Sequence, residues 1–365
     1  MKLSLHARCG AALGAPTANY ASAGVVVGVA ALVGALLLGV APLALGVLAA
    51  CWLFFAGIAA GGVAFSAAVR CSRGRWAAEV LPKVEALGGF FPAAFALLAI
   101  LAVAARAWVP GLVAAGWESW GWRCVRELGA TAILFAVGHR YLRGAHRETA
   151  PALTALAITY LLLYVSVLSL WAIDLVMDLH EWAPSTVIPP FVFIGAFLGA
   201  LAWGALATAR DPHATTKLRG DLGKLLFAMV IFWGYLAWAA YLPVWYGNLP
   251  DETGQLLARW AGNWKLVTSG VLVTVLGFPF FFLLPERTKR GRATLAIVAS
   301  SILAGLLGER FLLVLPSLDL RFDGLSVLLG AGVVVGAIGL FVLTVGARLA
   351  DARQPDAPRP DHQHL

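Results

Sequence analysis

The chain has 365 residues, of which 61% are hydrophobic and only 13% are charged, and its mean hydropathy is +0.84. A soluble domain carries about a quarter charged residues, so this composition excludes an ordinary soluble globular protein and predicts a polytopic membrane protein. We assign the formal net charge of +8 to a charge difference between the two membrane sides and to contact with anionic lipid, and expect no nucleic acid partner.

Apolar runs predict about ten transmembrane helices, because one bilayer crossing needs about 20 apolar residues. The predicted helices cover residues 24–40, 45–68, 90–108, 127–142, 151–173, 188–208, 222–246, 265–284, 293–314 and 325–347. We interpret helices 2–5 and 6–9 as two four-helix bundles, flanked by helices 1 and 10. Residues 1–350 would then form a single all-α membrane domain, and the polar, proline-rich residues 351–365 a disordered cytoplasmic tail.

Basic residues predict the orientation of this domain. If the N-terminus is cytoplasmic, 20 of the 27 Lys and Arg residues fall in segments on the inner side, and the other 7 fall on the outer side. Cytoplasmic loops of membrane proteins carry such an excess of Lys and Arg. We therefore expect both termini to be cytoplasmic and the number of membrane crossings to be even.

Cysteine and histidine patterns argue against a bound redox cofactor. The four cysteines form no CxxC or CxxCH motif, so we expect neither iron–sulfur ligation nor covalent haem attachment. A haem b held by two imidazoles needs two histidines inside the spans, and only His139 lies even near the end of one. The sequence therefore predicts no cofactor and no metal bound by this chain.

The fifth predicted helix carries polar and aromatic residues at helical spacing, which places them on one face if the helix continues past residue 173. They are Tyr160, Tyr164, Trp171, Asp174, Asp178 and Glu181. Three carboxylates would then cluster at the outer end, with two phenols deeper in the span. A carboxylate held in a low dielectric can exchange a proton near neutral pH. The alternative is that Asp178 and Glu181 belong to a hydrated loop.

Three further predicted helices supply candidate residues for a proton path. On the seventh helix they are Asp221, Lys224, Tyr235, Tyr241 and Tyr246; on the ninth they are Glu309 and Arg310; and on the fourth it is His139. Asp221 and Lys224 lie near the inner surface, where an ordinary ion pair is the alternative. Adjacent residues do not face each other on a helix, so we expect Glu309 and Arg310 to have separate partners. Asp174 or Asp178 is the expected partner of Arg310.

Two sequence elements resemble those of one known family. The longer element supplies Asp221, Leu222, Gly223, Lys224, Leu225, Trp233, Tyr235, Trp245, Tyr246, Asn248, Pro250, Glu252 and Thr253; the shorter supplies Asp174, Met177, Leu179, Ser185 and Thr186. This pattern resembles the signature of the F subunit of alternative complex III, a bacterial quinol:cytochrome c oxidoreductase. Departures are Ala239 and Ala240 in place of an expected Ser-Gln, and Glu181 in place of an expected proline.

The resemblance implies a cofactor-free membrane subunit of the NrfD/polysulfide-reductase-anchor type in the bacterial cytoplasmic membrane. Its implied role is structural, with proton translocation as a further candidate role. Implied partners are a homologous sister membrane subunit, an iron–sulfur subunit and multihaem cytochrome c subunits, with a terminal oxidase as a further candidate. Those partners would hold the iron–sulfur clusters and haem c, and the quinol would be menaquinol or another quinol.

Two other functions stay open from the sequence. A quinol-binding anchor of another oxidoreductase needs an apolar site with one or two hydrogen-bond partners, which sequence alone does not reveal. A secondary transporter typically has a pair of discontinuous helices at mid-depth, whereas most charges here gather near predicted helix ends. Copurification with haem proteins would separate the redox function from transport.

Overall fold

The computed structural model describes residues 4–105, 108, 119–145, 151–179, 185–248, 250–318 and 323–353. Every regular element in these ranges is helical. The α-helices are α1 Leu5–Leu13, α2 Ala15–Leu37, α3 Ala41–Cys71, α4 Leu81–Glu85, α5 Phe91–Val103, α6 Trp120–Gly144, α7 Pro151–Leu175, α8 Ile188–Arg210, α9 Thr216–Gly247, α10 Pro250–Trp260, α11 Trp264–Val271, α12 Phe278–Leu283, α13 Glu286–Arg290, α14 Arg292–Val314 and α15 Gly324–Arg353. A π-helical stretch, Leu272–Gly277, joins α11 to α12.

Within the described ranges, nine stretches are long and apolar enough to cross a membrane. They are Ala15–Leu37, Ala41–Cys71, Leu81–Val103, Pro151–Leu179, Ile188–Arg210, Thr216–Gly247, Trp264–Leu283, Arg292–Val314 and Gly324–Asp351. This architecture fits an all-α, multi-pass membrane protein. The remaining predicted helix also forms, as α6, but it carries charged residues near both of its ends.

Several helix ends differ from the sequence prediction. Helix α2 begins at Ala15 rather than at residue 24, because polar residues such as Asn19 are accommodated in its first turns. The predicted inner loop contains α4 and a 3₁₀ turn that lead directly into α5, so the third apolar stretch begins at Leu81. Helix α15 extends to Arg353 and so includes the start of the predicted tail. The rest of that tail lies outside the described residues.

Helix α3 lies at the centre of the fold. Its apolar stretch is entirely buried, and it packs against α5, α7, α8, α14 and α15. Trp52 of α3 donates its indole N–H to the carbonyl of Ala94 at 2.7 Å and packs edge-on against Trp171 of α7, with ring centroids 4.6 Å apart. Burial on all sides explains why the α3 sequence shows no polar face.

Helices α2 and α15 pack closely against each other along a line of glycines. A Cβ atom added at Gly28 would overlap the backbone of Gly336, and one added at Gly24 would lie 3.1 Å from the carbonyl oxygen of Val335. Small residues four apart allow two helix backbones to approach within a membrane, where the hydrophobic effect does not drive association.

We expect Gly28→Ala to destabilise the protein by about 1–3 kcal/mol, because the new methyl group would force α2 and α15 apart. Gly34→Ala is the matched control, since a Cβ there would meet only Leu329, at an ordinary contact distance of 3.6 Å. Thermal unfolding in detergent measures both effects. Equal unfolding midpoints for the two variants would contradict the close packing of these helices.

Asp211, the residue that follows α8, accepts hydrogen bonds from two other residues. Lys83 donates to its carboxylate at 2.8 Å, and the backbone N–H of His213 donates at 2.9 Å. The hydrogen bond from Lys83 is the main reason that the pKa of Asp211 lies below its ordinary value of 3.8. A depressed folded-state pKa means that the stabilisation is complete above pH 3.8 and is lost as the pH falls through the folded pKa.

Asp211→Asn should therefore lower stability at neutral pH, by less than about 1 kcal/mol because the pair is partly exposed. The difference from the wild type should shrink as the pH falls below 3.8. Thermal unfolding across this range tests the pH dependence. Glu286→Gln, which removes an exposed ion pair with Arg290, serves as the control with little expected effect. A difference between wild type and Asp211→Asn that does not change with pH would refute the assignment.

Candidate functional site

A pair of opposite charges is buried between α6 and α7. Arg126 donates from Nε to Oδ2 of Asp174 at 2.8 Å and from Nη2 to Oδ1 of the same carboxylate. The Asp174 side chain is only 1% exposed. A bidentate guanidinium–carboxylate pair has the geometry that best compensates the loss of solvent around both charges.

A second ion pair lies next to the first. Arg123 contacts Asp178 at 3.0 Å. Arg123 and Arg126 are one helical turn apart on α6, and Asp178 follows Asp174 by four residues, so antiparallel packing of α6 and α7 aligns both pairs. The expectation that Asp174 or Asp178 pairs with Arg310 is wrong, because both carboxylates are engaged by arginines of α6. Glu181, the remaining acidic candidate here, lies outside the described residues.

Glu127 lies beside these ion pairs. It is 5% exposed, and neither carboxyl oxygen has a hydrogen-bond partner among the described residues. The charged groups that act on it are Asp174, Arg126 and Asp178. Glu127, Asp174 and Trp108 are among the residues that line a cavity of about 60 Å³. Sequence analysis did not select Glu127, since it stands next to Arg126 in what reads as an ordinary charged helix start.

A second buried cluster surrounds Glu309 and Arg310 near the end of α14. Arg310 donates from Nη1 to Glu309 Oε1 at 2.9 Å and from Nη2 to the carbonyl of Val192 in α8 at 3.1 Å. Trp233 of α9 donates its indole N–H to Glu309 Oε2 at 3.1 Å. Each residue therefore has a separate partner, as expected: Trp233 for Glu309 and the Val192 carbonyl for Arg310. The two side chains also contact each other, because the long arginine side chain folds back onto its neighbour.

Arg259 of α10 adds a second positive charge to this cluster. Its Nε and Nη2 atoms are buried and have no hydrogen-bond partner among the described residues. Burial lowers the pKa of Arg259 to about 10, while the nearby Glu309 carboxylate acts to raise it. The guanidinium is therefore charged at neutral pH, and its electrostatic interaction with the Glu309 carboxylate is attractive.

The two phenols of α7 are buried and hydrogen-bonded to backbone carbonyls. Tyr160 donates to the carbonyl of Ala60 in α3 at 3.0 Å, and Tyr164 donates to the carbonyl of Phe193 in α8. Both share the buried face of α7 with Asp174, as their spacing predicts. Their hydroxyl groups connect α7 to α3 and α8, which is a structural use of the same residues.

Most candidate residues of α9 lie on the side of the helix that faces away from the rest of the protein. Lys224 and Asp221 are 3.9 Å apart, with the Lys224 side chain 57% exposed. Tyr235 and Tyr246 are exposed, and Tyr241 stacks on the exposed Trp245. The structure therefore does not bring these five candidates together with Asp174 or Glu309.

Three other residues of the same α9 motif, Gly223, Trp233 and Asn248, have structural roles. Trp233 holds Glu309. A Cβ added at Gly223 would lie 2.9 Å from the Cβ of Lys289, so glycine allows α13 to pack on α9. Asn248 has the left-handed backbone conformation (φ 43°) that ends a helix, and asparagine adopts it more readily than most residues.

His139, the candidate on α6, is exposed and lines a groove of about 780 Å³ with Arg140 and Arg143.

A third buried polar group, which sequence analysis missed, lies near the other end of α6. Ser66 of α3 donates to Glu85 Oε1 at 2.6 Å, and its hydroxyl lies 3.0 Å from that of Tyr141. All three side chains are buried and line a pocket of about 1120 Å³ together with Arg70. The available signal is an acidic residue beside an apolar run, but Glu85 falls between the second and third predicted helices, residues 45–68 and 90–108.

These groups place exchangeable protons at both ends of α6. Between them, Thr131 of α6 accepts a hydrogen bond from the indole of Trp171 at 2.9 Å, and Tyr160 is bonded to α3. In the described ranges, no group of three or more His, Cys, Asp or Glu side chains comes together in a way that could hold a metal ion.

We expect Arg126→Gln to destabilise the fold by about 3–5 kcal/mol, because it leaves the Asp174 carboxylate buried without a cation. Arg123→Gln is the matched control, since its partner Asp178 is 26% exposed and can be hydrated. Unfolding of both purified variants in detergent gives the comparison. The assignment fails if Arg123→Gln costs as much stability as Arg126→Gln.

The sequence matches no protein-family model, and a comparison with curated proteins finds no match. These comparisons therefore establish no family for the chain. The structure shows many apolar helices and a buried ion pair between two of them. This architecture fits a multi-pass membrane protein but does not identify its family.

Proposed function

We propose that this chain is a cofactor-free membrane subunit of a bacterial respiratory quinol:cytochrome c oxidoreductase of the alternative complex III type, and that it takes part in proton translocation. The observation that carries the proposal is the hydrogen bond from Trp233 to the buried Glu309. It links the α9 motif, on which the family resemblance rests, to a buried carboxylate that can bind a proton.

The placement of the two ion-pair clusters supports a proton role. In the proposed arrangement of two four-helix bundles, α7 ends the first bundle and α14 ends the second. Asp174 lies near the end of α7, and Glu309 lies near the end of α14. Each is buried beside arginine. Ionisable residues retained inside membrane segments are costly, and they commonly mark ion or proton pathways.

Helix packing is compatible with the two bundles. Helix α3 packs on α5 and α7, and α6 packs between α5 and α7; likewise α8 packs on α9 and α14, and α11 packs on α14. In this proposal α6 also crosses the membrane, which gives ten crossings and places both termini in the cytoplasm of the bacterial cell. The sister subunit, the iron–sulfur subunit and the multihaem cytochromes would supply the redox centres and the quinol site.

A quinol-binding anchor of another NrfD-type oxidoreductase is the second candidate. The pocket of about 1120 Å³ favours it, because Ser66, Glu85 and Tyr141 offer hydrogen-bonding groups there beside the apolar residues Leu81 and Ile158. A photoreactive quinone analogue would label residues of this pocket if the anchor function is correct. Under the first proposal, the label should appear in the sister subunit.

Deletion of the gene in its native host tests the redox function. Membranes without the chain should lose quinol-dependent reduction of cytochrome c, since the complex would lack a core membrane subunit, and the wild-type gene should restore the activity. Activity that survives deletion would contradict the proposal.

Asp174→Asn and Glu309→Gln should lower the number of protons moved per electron transferred, while electron transfer itself continues. The physical reason is that each variant removes a carboxylate from the path without touching a redox centre. Both quantities are measured on the complex in sealed vesicles. Because the result is a ratio of protons to electrons, it does not depend on how much complex has assembled. Asp221→Asn, on the surface of α9, is the control and should leave the ratio unchanged. Unchanged ratios in both buried variants would remove these carboxylates from any proton path.

A further inference from the structure

We propose that Glu127 is an uncharged carboxylic acid at neutral pH and that it forms a proton-binding site together with the adjacent Asp174 and water in the cavity beside them. The site itself is inferred from the geometry of this chain. Its use in proton transfer rests on the function proposed above.

The charge count around Glu127 is the first argument. Arg126 is engaged with Asp174, and Arg123 is engaged with Asp178. Each of these two ion pairs contains one positive and one negative charge. An ionised Glu127 would therefore add one negative charge that no described cation compensates. An uncompensated charge in a buried position is strongly unfavourable, and a carboxyl group in that position takes up a proton instead.

Hydrogen-bond geometry is the second argument. Both Glu127 oxygens are buried and lack a partner among the described residues, although the Asp174 carboxyl group lies against them. If both Glu127 and Asp174 were ionised, both could only accept hydrogen bonds, so neither could donate to the other. Their like charges would also repel each other when the two groups lie side by side. A proton on Glu127 converts one oxygen into a donor, and Asp174 or a water molecule then becomes its acceptor.

The cavity is the third argument. It has a volume of about 60 Å³, whereas about 10–15 Å³ of such volume is enough for one water molecule. The charged and titratable groups that line it are Arg123, Cys124, Glu127 and Asp174. The Cys124 thiol points to the carbonyl of Ala102. Polar partners therefore come from Glu127, Asp174 and Arg123, and the space suits a few water molecules.

The proton exchange needs no other chemistry. When the site releases its proton, the O–H bond of Glu127 breaks and the proton passes to a cavity water or to Asp174, which leaves Glu127 as a carboxylate. Uptake is the reverse step.

Infrared spectroscopy of the purified wild-type protein in lipid tests the proposal. A protonated carboxyl group has a C=O stretching band that shifts in D₂O, and we expect this band at neutral pH. The wild-type spectrum minus the Glu127→Gln spectrum should contain this band, and Asp178→Asn, a matched control in the neighbouring ion pair, should retain its full intensity. A difference spectrum without the band would overturn the proposal.

Stability provides an independent readout. A glutamine has the shape and neutrality of a protonated glutamate, so Glu127→Gln should unfold at the same temperature as the wild type. Asp174→Asn, which breaks an ion pair, should unfold at a lower temperature. A Glu127→Gln variant that fails to fold would contradict a neutral Glu127. Because both measurements use this chain alone, they can succeed even if it proves not to belong to a quinol oxidoreductase.

Discussion

Arg126, Asp174 and Arg310 can remain buried in this apolar bundle because each has a polar partner on a neighbouring helix. Arg126 joins α6 to α7 through Asp174, and Arg310 joins α14 to α8 through the carbonyl of Val192. Removing one partner of such a pair costs about 3–5 kcal/mol, a large share of the stability of a typical protein. The ion pairs therefore restrict the rotation and register of four helices, in a bundle whose apolar surfaces alone would tolerate several arrangements.

The surrounding sequence is adapted to these pairs. Gly195 of α8 lies against Arg310, and a Cβ there would sit 2.8 Å from Nη2. Trp233 provides an indole donor where an apolar residue would leave Glu309 with fewer hydrogen bonds. Glu127 departs from the pattern, because it is buried and no described cation forms an ion pair with it. A structural bundle has no need for such a group, which is why we assign it to proton binding.

The sequence predicts the class of fold well and the pairing of its charges poorly. Apolar runs locate the helices, and helical spacing correctly places Tyr160, Tyr164 and Asp174 on one buried face of α7. The partner of Arg310 was predicted wrongly, because pairing between helices depends on their rotation and depth, which composition does not encode. Glu85 was missed for a related reason: a short helix that folds back into the bundle has the same local sequence pattern as a surface loop.

The central claim is that this chain works as a subunit of a quinol-oxidising complex, and purification of the tagged chain in mild detergent tests it most directly. The account predicts that covalent haem c and iron–sulfur proteins copurify, that mass spectrometry finds a homologous membrane subunit, and that quinol reduces the haem in the visible spectrum. A colourless protein without partners would contradict the account and would favour a secondary transporter.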